Sequence, residues 1–187
     1  MPRSLLPMLI AALPLLGMVP NAPANESAAL FSADGYRQGQ YRSPTPAEVQ
    51  GAQTLDTAAL QALLAQEPRL LLVDVYRCQW LAGRFIDSEA HANLPGSLWL
   101  PNTGDGNLQP EWASYFSDNL ARISQGDLER PLVFYCRSDC WLGWNASRRA
   151  HALGYKRLYW YRDGVDGWEQ AGLPLHPASP EPFAAER

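Results

Sequence analysis

Apolar and polar positions alternate along the chain in two rhythms. Leu60, Leu63 and Leu64 share one face of a helical spacing from Ala58 to Ala65. Asp56 or Thr57 stands where a cap is needed, and Glu67-Pro68 ends the run. Leu70 to Val75 is a short apolar run broken only by Asp74, as in a strand buried on both faces of a parallel sheet. Pro110 begins a second helical pattern that reaches Ile123, with Trp112, Phe116, Leu120 and Ile123 at helical spacing. Pro131 to Tyr135 repeats the buried-strand pattern. A loop from Cys136 to Leu142 then leads into a helix that carries Ala146, Ser147, Ala150 and Leu153 and stops at Gly154. Lys156 to Tyr161 forms a third strand, and Gly164 to Gly172 a short last helix around Trp168. Between Tyr76 and Asn102 no period dominates until Pro95-Gly96 turns into a short strand.

Strands alternating with helices predict an α/β domain, its central and mainly parallel sheet flanked by helices in three layers. Reactive groups in such sheets gather just beyond the carboxyl ends of strands. Two segments fall there: Asp74 to Cys78, and Cys136 to Trp141.

The length of 187 residues suits one domain, and 47% hydrophobic with 18% charged residues is the composition of a packed globule. A net charge of −4 excludes a general nucleic-acid binder, since no basic excess is present to neutralise phosphates. At the start, Arg3 precedes an apolar run from Leu5 to Val19 and then Ala22-Pro23-Ala24. That is the layout of a secretory signal peptide over residues 1–24, with a mature chain from Asn25. The run is short for a bilayer span, and no later segment is apolar enough for one. The periplasm is the expected compartment, and disulfides persist there. Residues 25–51, rich in Ser, Pro, Ala, Gly and Gln, read as a loosely ordered lead-in, with Tyr36 and Tyr41 able to dock on the body. The folded domain is expected over 52–176 and a tail over 177–187.

Five fragments carry a family resemblance. They are Leu72-Val73-Asp74-Val75, His91-Ala92-Asn93-Leu94-Pro95-Gly96-Ser97, Val133-Phe134-Tyr135-Cys136-Arg137, Ala150-His151-Ala152-Leu153-Gly154-Tyr155 and Asp163-Gly164-Val165-Asp166-Gly167-Trp168. In order and spacing the chain resembles a rhodanese-like (thiosulfate sulfurtransferase) domain over about residues 52–176. Cys136-Arg137-Ser138-Asp139-Cys140-Trp141 is similar to the motif of an exported CxxxCW branch, associated with alcohol catabolism that depends on pyrroloquinoline quinone. Three features depart from the ordinary pattern. Asp74-Val75-Tyr76-Arg77 is one residue longer than Asp-Val-Arg, the stretch from Trp80 to His91 is extended, and Cys140 adds a second thiol to the loop.

The resemblance implies that Cys136 is a thiolate nucleophile that takes sulfane sulfur, becomes a persulfide and passes the sulfur on. A loop between strand and helix supports that chemistry, because converging N–H groups and the helix N-terminus favour the thiolate. Arg137 would attract a small anionic sulfur donor such as thiosulfate, while Ser138 and Asp139 would shape the nest. Arg77 joins them as a substrate-binding candidate beyond the first central strand. Trp141 and Trp144 would line a wall above the thiol, stack on a flat ligand such as a quinone, or pack the loop. Asp74 is expected to fix its turn through hydrogen bonds. No cofactor is required.

Cys140 has three readings: a thiol resolving a persulfide on Cys136, one half of a dithiol/disulfide pair serving a periplasmic redox protein, or half of a structural bond. Cys78 is a further candidate partner for either sulfur. Metal binding is disfavoured because His91, His151 and His176 do not cluster with the thiols. A phosphatase needs Arg six residues after the Cys, where Leu142 stands. Sulfur transfer, a redox or cofactor-binding accessory role in quinone-dependent oxidation, and a non-catalytic interaction module remain as functions.

Overall fold

The computed structural model describes residues 30–86 and 90–183. The expected signal segment and the polar patch Asp87-Ser88-Glu89 lie outside the described residues.

Five strands form one sheet in the order β1-β8-β7-β2-β6, with every neighbouring pair parallel. They are β1 (Gln53–Leu55), β2 (Leu71–Asp74), β6 (Leu98–Trp99), β7 (Leu132–Tyr135) and β8 (Leu158–Tyr161). Helices α1 (Thr57–Gln66), α2 (Pro110–Ser124), α3 (Trp141–Ala152) and α4 (Gly164–Gln170) connect them. The two-residue period of the strands sorts their side chains into two cores. Val73, Leu132 and Phe134 meet Phe116 and Leu120 of α2 and Ala146 and Ala150 of α3 on one face. Leu72, Val133 and Tyr135 meet Leu60 of α1 and Trp168 of α4 on the other. The three-layer α/β architecture read from the sequence is the one observed.

Local chemistry explains the start of α1 and both ends of α2. The Asp56 side chain accepts from the Ala59 N–H at 2.8 Å and caps α1. Pro110 opens α2, whose last turn ends at Gln125 in the left-handed region. One boundary differs from the sequence reading: α3 begins at Trp141, so Trp141 and Leu142 belong to its first turn rather than to the loop. The Trp141 N–H donates to the Tyr41 carbonyl at 2.9 Å and Leu142 is buried, so tertiary partners extend the helix backwards.

The aperiodic stretch after β2 holds a hairpin, β3 (Gln79–Leu81) and β4 (Arg84–Ile86), turning at Ala82-Gly83 with both φ angles positive. It brings Trp80 and Phe85 to Trp112, Tyr115 and Phe183. A short pair, β5 (Ala92–Asn93) with β9 (His176–Pro177), ties the tail back, and the Glu181 N–H donates to the Trp99 carbonyl.

The lead-in corrects its expectation. Residues 30–51 have little regular structure, yet they are docked rather than loose. Arg37 and Val49 are buried, and the Arg37 N–H and carbonyl bond to both ends of the buried Asn145 amide at 2.9 and 2.8 Å. A segment without periodicity can still be fixed when buried side chains satisfy its backbone. Among the described residues, no helix is long and apolar enough to cross a membrane.

Candidate active site

Strand β7 delivers Cys136 at its carboxyl end, and Cys140 stands at the N-cap position of α3 four residues later. The five residues curl through Asp139, whose φ is 46°. The curl joins Cys136 to Cys140 in a disulfide with Cα atoms 6.4 Å apart. Both cysteines are buried. Cys78 lies outside this bond: its N–H donates to Asn102 Oδ1 at 3.2 Å, and its sulfur sits 3.6 Å from the Ile86 carbonyl.

Helix α4 closes over the loop. The Val165 N–H donates to the Cys136 carbonyl at 2.9 Å. Gly164 makes that approach feasible: its φ is 60°, and a Cβ there would lie 2.5 Å from the Arg137 carbonyl carbon. From the first turn of α4, Asp166 reaches the loop. Arg137 donates to Asp166 Oδ1 through Nε and Nη2 at 2.9 and 2.7 Å. Ser138 donates to Oδ2 through its backbone N–H at 3.0 Å and its hydroxyl at 2.8 Å. Burial pushes the Asp166 carboxyl up, but the Arg137 and Ser138 donors outweigh it and hold the group below the ordinary carboxylate range.

The lead-in covers the other side. The Ser43 N–H donates to the Asp139 carbonyl at 3.0 Å, and Arg42 Nη1 to the Ser138 carbonyl at 2.6 Å. The Ser43–Asp139 and Trp141–Tyr41 backbone bonds together make an isolated antiparallel bridge between Arg42 and Cys140. Two of the N–H groups read as an anion nest, those of Ser138 and Trp141, are therefore engaged by Asp166 and by Tyr41.

Trp141 packs against the lead-in and its own helix. Its indole N–H donates to Ser43 Oγ at 3.0 Å, and its ring meets Phe31 and Trp144 edge-on at 5.5 and 5.2 Å. Arg77 ion-pairs with Asp105 and lies 4.7 Å over the Tyr41 ring. The structure thus brings Cys136, Cys140, Arg137, Ser138 and Asp139 together, with Arg77 nearby. A groove of about 520 Å³ opens beside them, lined by Tyr41, Arg42, Tyr76, Arg77, Cys140 and Leu142 among others.

A second cavity, of about 290 Å³, adjoins the turn after β2 and holds Cys78 and His91 in its wall. Fully buried Asp74 accepts the Tyr76 N–H on Oδ1 at 2.8 Å and contacts His91 Nε2 through Oδ2 at 2.6 Å. Burial raises the Asp74 carboxyl, against the opposing pull of His91 and the Tyr76 N–H. This is the turn-fixing role expected of Asp74.

Sequence reasoning anticipated that Tyr41 could dock on the body but missed Asp166, Arg42 and His91 as residues of the site. Asp166 stands in the Asp163–Trp168 run that carried part of the resemblance, but nothing local marks it as the partner of Arg137 and Ser138.

A parallel sheet wound by helices, with a bonded cysteine pair in the strand-to-helix loop at its carboxyl edge, defines an α/β domain with a sulfur site. The family model for the Rhodanese-like domain matches residues 56–171, and the chain belongs to that family. Among solved structures, it is similar to a thiosulfate sulfurtransferase from Pseudomonas aeruginosa, at 18% identity and a TM-score of 0.50. That likeness covers 73% of this chain and 22% of that one. A polysulfide-sulfur transferase homodimer from Wolinella succinogenes shares 18% identity at a TM-score of 0.45, over 73% and 85% of the two chains. A 3-mercaptopyruvate sulfotransferase from Escherichia coli shares 14% at 0.48, over 70% and 53%. No curated protein matches the chain in sequence.

Proposed function

We propose that the protein is an exported sulfurtransferase that carries sulfane sulfur on Cys136, with Cys140 as the resolving thiol. The observation that supports this most is the bond between the two sulfurs, in the loop where the family resemblance puts the nucleophile. In the reduced protein the Cys136 thiolate attacks the outer sulfur of thiosulfate, forming a persulfide and releasing sulfite. Cyanide or a thiolate then takes the outer sulfur and restores the Cys136 thiolate. Alternatively, the Cys140 thiolate attacks the inner sulfur, expels hydrosulfide and leaves the disulfide.

The reduced protein is expected to transfer sulfur from thiosulfate to cyanide. Cys136→Ser should abolish the transfer, and Cys140→Ser should retain it and accumulate a persulfide visible by mass spectrometry. No transfer above a thiol blank from folded, reduced protein would remove this reading.

A second reading is favoured by Asp166, which occupies the Arg137 and Ser138 donors that an anionic sulfur donor would need. Here the Cys136–Cys140 pair cycles with a periplasmic redox protein in pyrroloquinoline-quinone-dependent alcohol oxidation, as the CxxxCW run suggests. Equilibration with glutathione buffers separates the two. A potential below about −300 mV marks a bond too stable to cycle. Export is checked by N-terminal sequencing of the mature protein, with Asn25 as the expected first residue.

A further inference from the structure

The two sulfurs of the disulfide do not share the same surroundings. Cys140 belongs to the wall of the groove, together with Tyr41, Arg42, Tyr76, Arg77 and Leu142. Cys136 is not among the residues that line the groove; its sulfur lies 3.8 Å from the Arg137 carbonyl and 3.5 Å from the Cys140 carbonyl, and its own carbonyl accepts from the Val165 N–H of α4. Displacement at a disulfide requires the entering thiolate to approach one sulfur while the other leaves.

We infer that the disulfide is opened at Cys140, from the groove walled by residues 40–43, by a small thiol that carries carboxylates. This rests on the reading above that the cysteine pair cycles. The entering thiolate forms a sulfur–sulfur bond to Cys140, and the electron pair of the old bond leaves on Cys136 as thiolate. A second molecule of the same thiol attacks the entering sulfur, forms the external disulfide and frees the Cys140 thiolate. Two thiols are oxidised and one protein disulfide is reduced. Cys136 is thereby released at the N-terminal end of α3, where a thiolate is favoured over a thiol.

The groove also indicates the class of thiol. Tyr41, Tyr76 and Leu142 supply apolar walls. Arg42 and Arg77 are each about half exposed, at 54% and 51%. A guanidinium has five N–H donors. Among the described residues, the Arg42 guanidinium bonds to the Ser138 carbonyl and pairs with Asp166, and that of Arg77 pairs with Asp105 and lies over the Tyr41 ring. Donors therefore remain for the carboxylates of a ligand, a geometry guanidinium groups favour. Asp105 and Asp166 share the same arginines, so the preference is modest. Residues 40–43 lie outside the matched segment 56–171, which makes this wall a feature of this chain beyond the family domain.

The test uses the full oxidised protein and glutathione as the probe. The reaction is quenched in acid, remaining thiols are blocked with N-ethylmaleimide, and the protein is digested with trypsin. Cleavage after Arg137 puts Cys136 and Cys140 in different peptides. The expected product carries glutathione on Cys140 and maleimide on Cys136. Glutathione on Cys136 overturns the inference and leaves the cycling pair intact, whereas a disulfide that no thiol opens overturns both. In a second arm, rate constants per thiolate are compared for glutathione and cysteamine. Glutathione should be faster by about five-fold, the scale of one exposed charge pair, and the advantage should vanish in the Arg42→Gln/Arg77→Gln protein. Equal rates in the unaltered protein overturn the carboxylate preference without any variant having to fold.

Discussion

The turns after β2 and after β7 lie side by side at the carboxyl edge of the sheet, and each is held by an aspartate. Asp74 belongs to the strand itself, is fully buried, and binds its own turn at the Tyr76 N–H. Asp166 comes from a different helix, is partly exposed, and binds the neighbouring loop at Arg137 and Ser138. Their carboxyls shift in opposite directions, Asp74 up and Asp166 down. Burial pushes both up, and the fixed donors around Asp166 reverse it. A carboxylate supplied from outside can therefore lock the disulfide-bonded loop at low electrostatic cost, whereas one sealed in the core is held mainly by the need to keep its partners satisfied.

Removing the buried carboxylate should have the largest effect. Asp74→Ala leaves His91 and the Tyr76 N–H without it and should cost about 3–5 kcal/mol in urea unfolding. A loss below about 1 kcal/mol would show that the turn does not depend on Asp74. Gly164→Ala forces a side chain into the left-handed region against Arg137, and about 2–3 kcal/mol is expected from strain and displacement. The same variant should speed reduction of the disulfide, because α4 can no longer seat over the loop. Asp166→Ala removes charge-assisted bonds at a partly exposed site and should cost about 1.5 kcal/mol, again with faster reduction.

The pH dependence sharpens the contrast. Asp166, lowered in the folded state, stabilises the fold fully above the ordinary carboxylate range, and that contribution is lost as pH falls through its depressed value. Asp74 has the opposite sign: raised in the folded state, it makes the fold less stable as pH climbs from the ordinary value through the raised one. The stability difference between the unaltered protein and Asp166→Asn should thus grow with pH across the acid range, and the difference for Asp74→Asn should shrink. Parallel slopes in a pH series of urea midpoints would break the comparison. The smallest effect belongs to Arg42→Gln, whose exposed pair with Asp166 should contribute less than about 1 kcal/mol.

The sequence by itself determined the layers. The runs at Leu71–Asp74 and Leu132–Tyr135 carry enough contiguous apolar surface to demand burial on both faces, and helical spacing at Trp112, Phe116 and Leu120 leaves one stripe to cover them. It also marked the loop, since Cys136 and Cys140 fall between a strand and a helix whatever surrounds them. The hairpin at Gln79–Ile86 was illegible because its aromatic contacts come from α2 and Phe183, far along the chain. Of the docked lead-in only Tyr36 and Tyr41 were legible as anchors, because Asn145 and Trp141, not its own periodicity, hold the rest. Only the tertiary structure decided which partner each polar group of the site finds. Asp166, Tyr41 and Arg42 lie some 28 residues or more than 90 residues from the groups they bind. A hydrogen bond depends on where two atoms stand, whereas a local pattern records only which surface of its own segment must leave water.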